Sequence, residues 1–273
     1  MGLFGNLSFR KDSDLVLALD IGTEVVKALI LRVEKGAKRG VVIGVGRTAQ
    51  KIGNMQSGAV SDISGVIDSA REAITIAKEK AGVKRVEKSI IGIAGELVKG
   101  TTTTVHYERV NPEMHIGVSE LKMIIQKVQE KAYERIKRQL SWETGQNDID
   151  VKLINAAVVD VRIDGYHVLN PIDFQGRSVS MSVFNAYAPM IHLGALETIA
   201  DELDLDLLSV AAEPYAVARS VEVEDMMDFS AIFIDVGGGT TDIAVVRNGG
   251  LEGTKMFALG GRAFTKRLAQ EFG

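Results

Sequence analysis

The chain has 273 residues, 46% of them hydrophobic and 25% charged, with a net charge of −4 and no cysteine. That is apolar material for one or two cores, and the mild negative charge gives no general attraction to nucleic acid or anionic lipid. The lack of cysteine excludes disulfides and thiolate metal sites and fits a reducing compartment.

No apolar run approaches the roughly 20 residues that cross a bilayer, and Met1 to Arg10 lacks the make-up of a signal peptide, so a cytoplasmic location is expected. Leu3, Phe4, Leu7 and Phe9, near Arg10 and Lys11, make a poor interfacial anchor, and a disordered tail is the favoured reading. Leu15 to Val33 reads as two strands around a glycine turn, followed by a polar loop from Lys35 to Gly40 and a third strand from Val41 to Thr48. Asp62 caps a helix with Ile63, Val66, Ile67, Ala70, Ile74 and Ala77 at helical spacing, and Gly82 stops it. Strands followed by a crossover helix make an α/β fold.

From Lys88 the texture changes. Ser89 to Ala94 is a strand ending at Gly95, Thr101 to Val110 is polar and β-prone, and Asn111-Pro112 breaks the chain. Ser119 is expected to cap a helix that puts Leu121, Ile124, Ile125, Val128, Ala132 and Ile136 on one face. Its lysines and arginines are interspersed with Glu120, Glu130 and Glu134, the pattern of a solvated face and not of a nucleic-acid surface. Val151 to Ile163 is a long strand, Asp164-Gly165 a turn, and Val168 to Ile172 the expected hairpin partner. Val179 to Ala188 returns to a strand, and Leu193 to Leu203 forms a helix. Leu207 to Ala211 is a buried strand, and Glu213-Pro214 opens another helix with proline in its first turn. Asp228 to Val246 holds a second glycine-turn hairpin, and Gly260-Gly261 opens a helix that runs to the C-terminus. Trp142, the only tryptophan, is expected to cap a small core, and His106, His115, His167 and His192 show no metal-ligand spacing.

Two segments repeat one plan. Leu17-Ala18-Leu19-Asp20-Ile21-Gly22-Thr23 and Phe233-Ile234-Asp235-Val236-Gly237-Gly238-Gly239-Thr240-Thr241-Asp242 are each an apolar run, an aspartate and a glycine-threonine turn, with a second apolar run behind. Glycine lets backbone N–H groups approach an anion, threonine adds hydroxyls, and an aspartate at a strand end can hold a hydrated cation. Facing each other, two such hairpins would clamp a polyphosphate and its Mg²⁺.

The pair resembles the phosphate 1 and phosphate 2 hairpins of the actin-like ATPase superfamily, which implies an actin-like (ribonuclease H-like) α/β fold that binds ATP and Mg²⁺. The block between Ser89 and Arg177 is similar in position, length and strand order to the strand-helix-strand-strand 1C (SHS2-type) insertion of the FtsA family. Ile91-Gly92-Ile93-Ala94-Gly95-Glu96 and Val118-Ser119-Glu120-Leu121 resemble the openings of its first strand and helix. The implied domains are 1A over 13–87 and 178–222, 1C over 88–177, and the beginning of 2A over 228–273. The PilM family of type IV pilus assembly has the same layout, and Asp20-Ile21-Gly22-Thr23 with Val26-Lys27 resembles it equally well. FtsA is favoured because Asp235 to Val246 and the Gly260-Gly261 segment read like that family. A metabolic phosphotransferase such as a sugar kinase is disfavoured, because no catalytic aspartate stands in a recognisable substrate cleft.

The resemblance implies roles for particular residues. Asp20 and Asp235 would hold Mg²⁺ through its waters, and Gly22, Thr23, Gly237, Gly238, Gly239, Thr240 and Thr241 would supply donors to phosphate oxygens. Asp242 would orient its turn, Lys27 would contact a phosphate, and Gly260 and Gly261 would lie beside the phosphates. Glu213, with Asp235, would serve a slow ATP hydrolysis by placing water, although a glutamate in a first helical turn is also favoured by the macrodipole. Implied partners are FtsZ, further copies of the chain, and the cytoplasmic face of the membrane at the division site through a C-terminal helix. Subdomain 2B, the rest of 2A and the adenosine-holding glycine motif would follow Gly273, so this chain alone is expected to bind ATP weakly and to leave part of its second core uncovered.

Overall fold

The computed structural model describes residues 14–34, 39–94, 98–146, 149–221 and 229–272. The segment from Leu3 to Lys11, the start of the Lys35 loop and the Gly95-Glu96 turn lie outside the described residues. The chain begins as a meander of β1 (Leu15–Ile21), β2 (Val25–Glu34) and β3 (Arg39–Ala49), followed by a small hairpin of β4 (Met55–Gln56) and β5 (Ala59–Val60). Leu17, Leu19 and Ile21 of β1 and Val26, Ala28 and Ile30 of β2 are buried at alternate positions, as the pleat requires. Helix α1 (Ile63–Ala81) is capped by Asp62, which accepts from the Gly65 N–H at 3.2 Å, and is closed by Gly82 at φ 66°. It lies flat on β3 because Gly44 and Gly46 leave no side chain in the way. A Cβ on Gly46 would collide with the Ala73 carbonyl oxygen.

Strand β6 (Lys88–Ile93) runs parallel to β1, and β11 (Asp206–Ala212) parallel to β6, giving a five-stranded sheet in the order β11-β6-β1-β2-β3. Expected to open the inserted block, β6 instead belongs to this first sheet. Its apolar run forms a strand locally, but its partners, β1 and β11, are set by long-range packing. β11 is an edge strand and only partly buried, not the buried strand expected.

The inserted block is β7 (Lys99–Glu108), α2 (Val118–Thr144), β8 (Val151–Ile163), the two-residue β9 (Tyr166–His167) and β10 (Ser178–Pro189). It keeps the strand-helix-strand-strand order but is displaced by one strand, because β10, assigned in sequence to the first domain, pairs along its length with both β7 and β8. The hairpin partner of β8 is Tyr166–His167 and not Val168 to Ile172, where Pro171 offers no N–H to a ladder. Helix α2 begins at Val118 behind Gly117 with no side-chain cap, so Ser119 is inside the helix and not its cap. Ile124 and Val128 pack on Val161, Val179, Met181 and Val183, and farther along Ala132, Ile136 and Leu140 pack near Tyr187. Trp142 is 87% exposed and caps no core.

The loop end of this block is organised around Arg109, whose side chain is almost wholly buried. Its guanidinium donates to both Glu120 carboxylate oxygens at 2.8 and 3.0 Å and to the carbonyls of Pro112, Met114 and Gly176. Helix α3 (Met190–Glu202) then leads to β11 and the short α4 (Glu213–Ser220). The last part is β12 (Ala231–Val236), β13 (Thr241–Arg247), β14 (Gly250–Phe257) and α5 (Gly261–Phe272). β14 meets β7 at a single register pair, Gly253 with Thr101, so the second sheet reads β12-β13-β14-β7-β10-β8-β9.

Candidate functional site

In β1–β2, Asp20 stands opposite Lys27, and in β12–β13 Asp235 stands opposite Asp242. Each hairpin therefore presents an acid at the mouth of its glycine turn, and both turns face one cleft of about 220 Å³. Asp20, Gly22, Thr23, Lys27, Glu213, Asp235, Gly237, Gly238, Thr240 and Asp242 line it. The two turns also touch each other. A Cβ on Gly239 would stand 2.7 Å from the Thr23 hydroxyl, and one on Gly238 would collide with Glu24 Cγ. Arg262, at the start of α5, crosses the joint: its Nη2 donates to the Thr23 carbonyl at 3.1 Å and its Nε pairs with the Glu24 carboxylate.

Glu213 enters from the third side. Asp20 and Gly92 are register partners on parallel strands, as are Gly92 and Ala211, so the carboxyl ends of β1, β6 and β11 form one ledge with Glu213 just beyond it. Such ledges are where open α/β sheets hold ligands. The absence of a side chain at Gly92 makes room: a Cβ there would meet Glu213 Cγ and Oε1 at 3.4 Å.

Five carboxylates line this cleft with one ammonium group, Asp20, Glu24, Glu213, Asp235 and Asp242 with Lys27, and of these Glu24 is paired with Arg262. Lys27 Nζ is 2.7 Å from Asp20 Oδ2, and that bond holds the ammonium above its usual range against the opposing effect of burial, with Glu213 and Asp235 adding to it. Burial pushes Glu213 well above the ordinary carboxylate range, and the charges of Asp20, Asp242 and Asp235 push it further, opposed by Lys27. Burial likewise raises Asp242 to about 6, against the hydrogen bond donated to it by the Thr240 hydroxyl at 3.2 Å. Asp242 is 3% exposed, and its Oδ1 has no partner. A buried, unpaired acceptor among like charges fits a cation close by. Among the described residues no three His, Cys, Asp or Glu side chains gather as direct metal ligands.

Gly239, Thr241, Gly260 and Gly261 are not among the residues lining the cleft. The Thr241 hydroxyl donates to the Leu259 carbonyl at 2.6 Å, and Gly261 N–H to the Gly237 carbonyl at 2.8 Å. A Cβ on Gly260 would stand 2.6 Å from that same oxygen, so Thr241, Gly260 and Gly261 pack against the back of the second turn. Sequence reasoning missed Glu24 and Arg262, whose partnership spans 238 positions and has no local signal. It also missed the depth at which Asp242 is buried, for which the alternation along β13 was a usable sign.

A larger groove of 550 Å³ lies between β8 and the β13–β14 turn. Its arginines are already paired, Arg162 with Asp160 at 2.9 Å and Arg247 with Glu252 at 3.0 Å.

No family model matches the chain. It is similar to the cell division protein FtsA of Neisseria meningitidis serogroup B, 28% identical over 93% of the chain and 57% of the relative. The FtsA of Pseudomonas aeruginosa is 24% identical over 93% of the chain and 57% of the relative, and that of Bacillus subtilis 24% over 94% and 54%. The chain thus spans a little over half the length of these relatives. Among solved structures it resembles a chain of the PilM–PilN type IV pilus biogenesis complex, with a TM-score of 0.61 and 15% identity over 94% of this chain and 65% of that one. The fold is that of the actin-like ATPases.

Proposed function

For a chain that has the actin-like ATPase fold and is similar to FtsA along nearly its whole length, we propose a nucleotide-binding, actin-like role in bacterial cell division, with the cleft as the seat of Mg²⁺ and the phosphates of ATP. The observation that carries this is the convergence of two acid-headed glycine turns on one cleft. A cleft of about 220 Å³ is below the roughly 300–1,000 Å³ that encloses a whole organic ligand, so the described walls suit the phosphates and not the nucleoside.

In this reading Lys27 and the turn backbones at Gly22, Thr23 and Gly238 hold phosphate oxygens. Asp20 and Asp235 hold Mg²⁺ through its waters, as suits an ion that dehydrates reluctantly. When bound, Mg²⁺ supplies positive charge that offsets the carboxylates. Glu213, whose proton affinity burial raises, orients a water in this reading with Asp235 beside it, so slow ATP hydrolysis is its role here. Titration with a fluorescent ATP analogue tests the site. Mg²⁺-dependent binding that weakens at least about tenfold in Asp20→Asn and in Asp235→Asn supports it. Binding indifferent to both substitutions overturns it.

The wider role extends to self-association, to FtsZ and, at the cytoplasmic face of the division site, to the membrane. Among the described residues no helix is long and apolar enough to cross a membrane. Co-sedimentation with FtsZ filaments supports the division role. Capture of a short cytoplasmic peptide of a pilus membrane protein, with no FtsZ binding, would move the chain to the PilM-like alternative.

A further inference from the structure

Helix α4, which begins at Glu213, has no side-chain cap of its own: its N-cap residue is Ala212. N–H groups at a helix start lack intrahelical acceptors and need one from elsewhere. The inserted block supplies it, since the Ala212 N–H donates to Asn155 Oδ1 on β8 at 2.8 Å. On the other side of Glu213, the ring of Tyr215 stacks on Phe184 of β10, with centroids 5.6 Å apart and planes within 4°. Phe184 is fully buried, so its ring is a fixed platform. Two strands of the inserted block therefore grip the chain immediately before and just after the one cleft carboxylate that belongs to neither hairpin.

We propose that Asn155 and Phe184 are positioning residues for Glu213, so that the inserted block sets where that carboxylate stands in the cleft. The proposal rests on the nucleotide reading only for what Glu213 does there. The placement itself is independent of any ligand. Because β8 and β10 also carry the packing of α2, whatever presses on that helix is transmitted to Glu213 through these two contacts, and a ligand that moves Glu213 is felt by β8 and β10 in turn.

Carboxyl labelling with a water-soluble carbodiimide, read by mass spectrometry on the ligand-free chain, tests the placement. Glu213 should label slowly in the wild type. In Asn155→Leu and in Phe184→Leu its rate should rise on the order of tenfold relative to the exposed Glu72 on α1, and Asn155→Asp, which keeps an acceptor oxygen, should stay near the wild-type rate. An unchanged Glu213 rate in both leucine variants, or a uniform rise of all carboxylates, overturns the proposal. If Asn155→Leu does not fold, Phe184→Leu and Tyr215→Leu decide it by the same measure. Single-turnover Mg–ATP hydrolysis separates the two layers. Positioning predicts that Asn155→Leu slows turnover as Glu213→Gln does, with nucleotide affinity within about twofold of wild type. If Glu213→Gln itself leaves turnover unchanged, the hydrolytic role of Glu213 falls while the labelling result still decides the placement.

Discussion

Asp242 shows how a single residue can hold charge at the expense of stability. Its carboxyl is buried opposite Asp235 with one oxygen unpartnered, and its protonation is shifted up to about 6 from an ordinary value of 3.8. Well below 3.8, near pH 2.5, it is protonated in both folded and unfolded states and contributes no pH dependence. As pH rises from 4 through 6 the unfolded chain loses this proton first, so the folded state is progressively disfavoured. Asp242→Asn should therefore gain little over the wild type at pH 4, where the titration is only beginning, and be more stable by about 1–3 kcal/mol at pH 7.5, as read from urea midpoints. A constant difference across that range would mean that the cost is not electrostatic. At this scale the motif acids Asp20 and Asp235 were legible in sequence because each ends an apolar run before a glycine turn. The Glu24–Arg262 pair was not, since its members meet only once the two halves of the chain have come together. Replacing Arg262 by alanine should loosen that joint, raising hydrogen exchange across 22–24 and 237–239 several-fold while the centre of β1 stays protected.

Elements were easier to find than their neighbours. The caps of α1 stand where the sequence puts them, because caps and glycine stops are local chemistry, and its stripe packs inward except for Ile63, which is exposed. β6 and β10 were found as strands, but the sheet each joins was not legible, since a strand's face pattern records burial and not which edge it pairs with. β14 was missed altogether because Gly250 and Gly253 break its pattern, although Gly253 lies where the strand approaches β7. The seating of α1 on β3 gives a sharp test of element packing. Gly46→Ala forces a methyl group onto the Ala73 backbone and should destabilise the fold by about 3 kcal/mol, as read from urea midpoints. Gly40→Ala, which meets only the Leu31 side chain at 3.2 Å, should change stability by less than about 1 kcal/mol.

For the whole molecule, the second sheet joins the inserted block to the last hairpin through one register pair, while the outer edge of β12 has no neighbour among the described strands. Ile232, Ile234 and Val236 are 57–67% exposed along that strand, and Phe264, Leu268 and Phe272 form an exposed stripe on α5, none of whose residues is buried. Apolar surface of this extent favours association. The isolated 273-residue chain should bind a hydrophobic dye and self-associate in sedimentation. Ile234→Lys combined with Leu268→Lys should suppress both signals without lowering the unfolding midpoint, because neither side chain contributes to a buried core.

Arg109 gives the inserted block a different property. One guanidinium joins the end of β7, the first turn of α2 and the segment leading into β10, and its removal as Arg109→Met should cost about 3 kcal/mol by leaving Glu120 and several carbonyls without their donor. Because three separate stretches of chain share a single knot, none can fray alone. Amides at 109, 116 and 176 should exchange with one common opening energy, so that this corner of the protein behaves as an all-or-none unit.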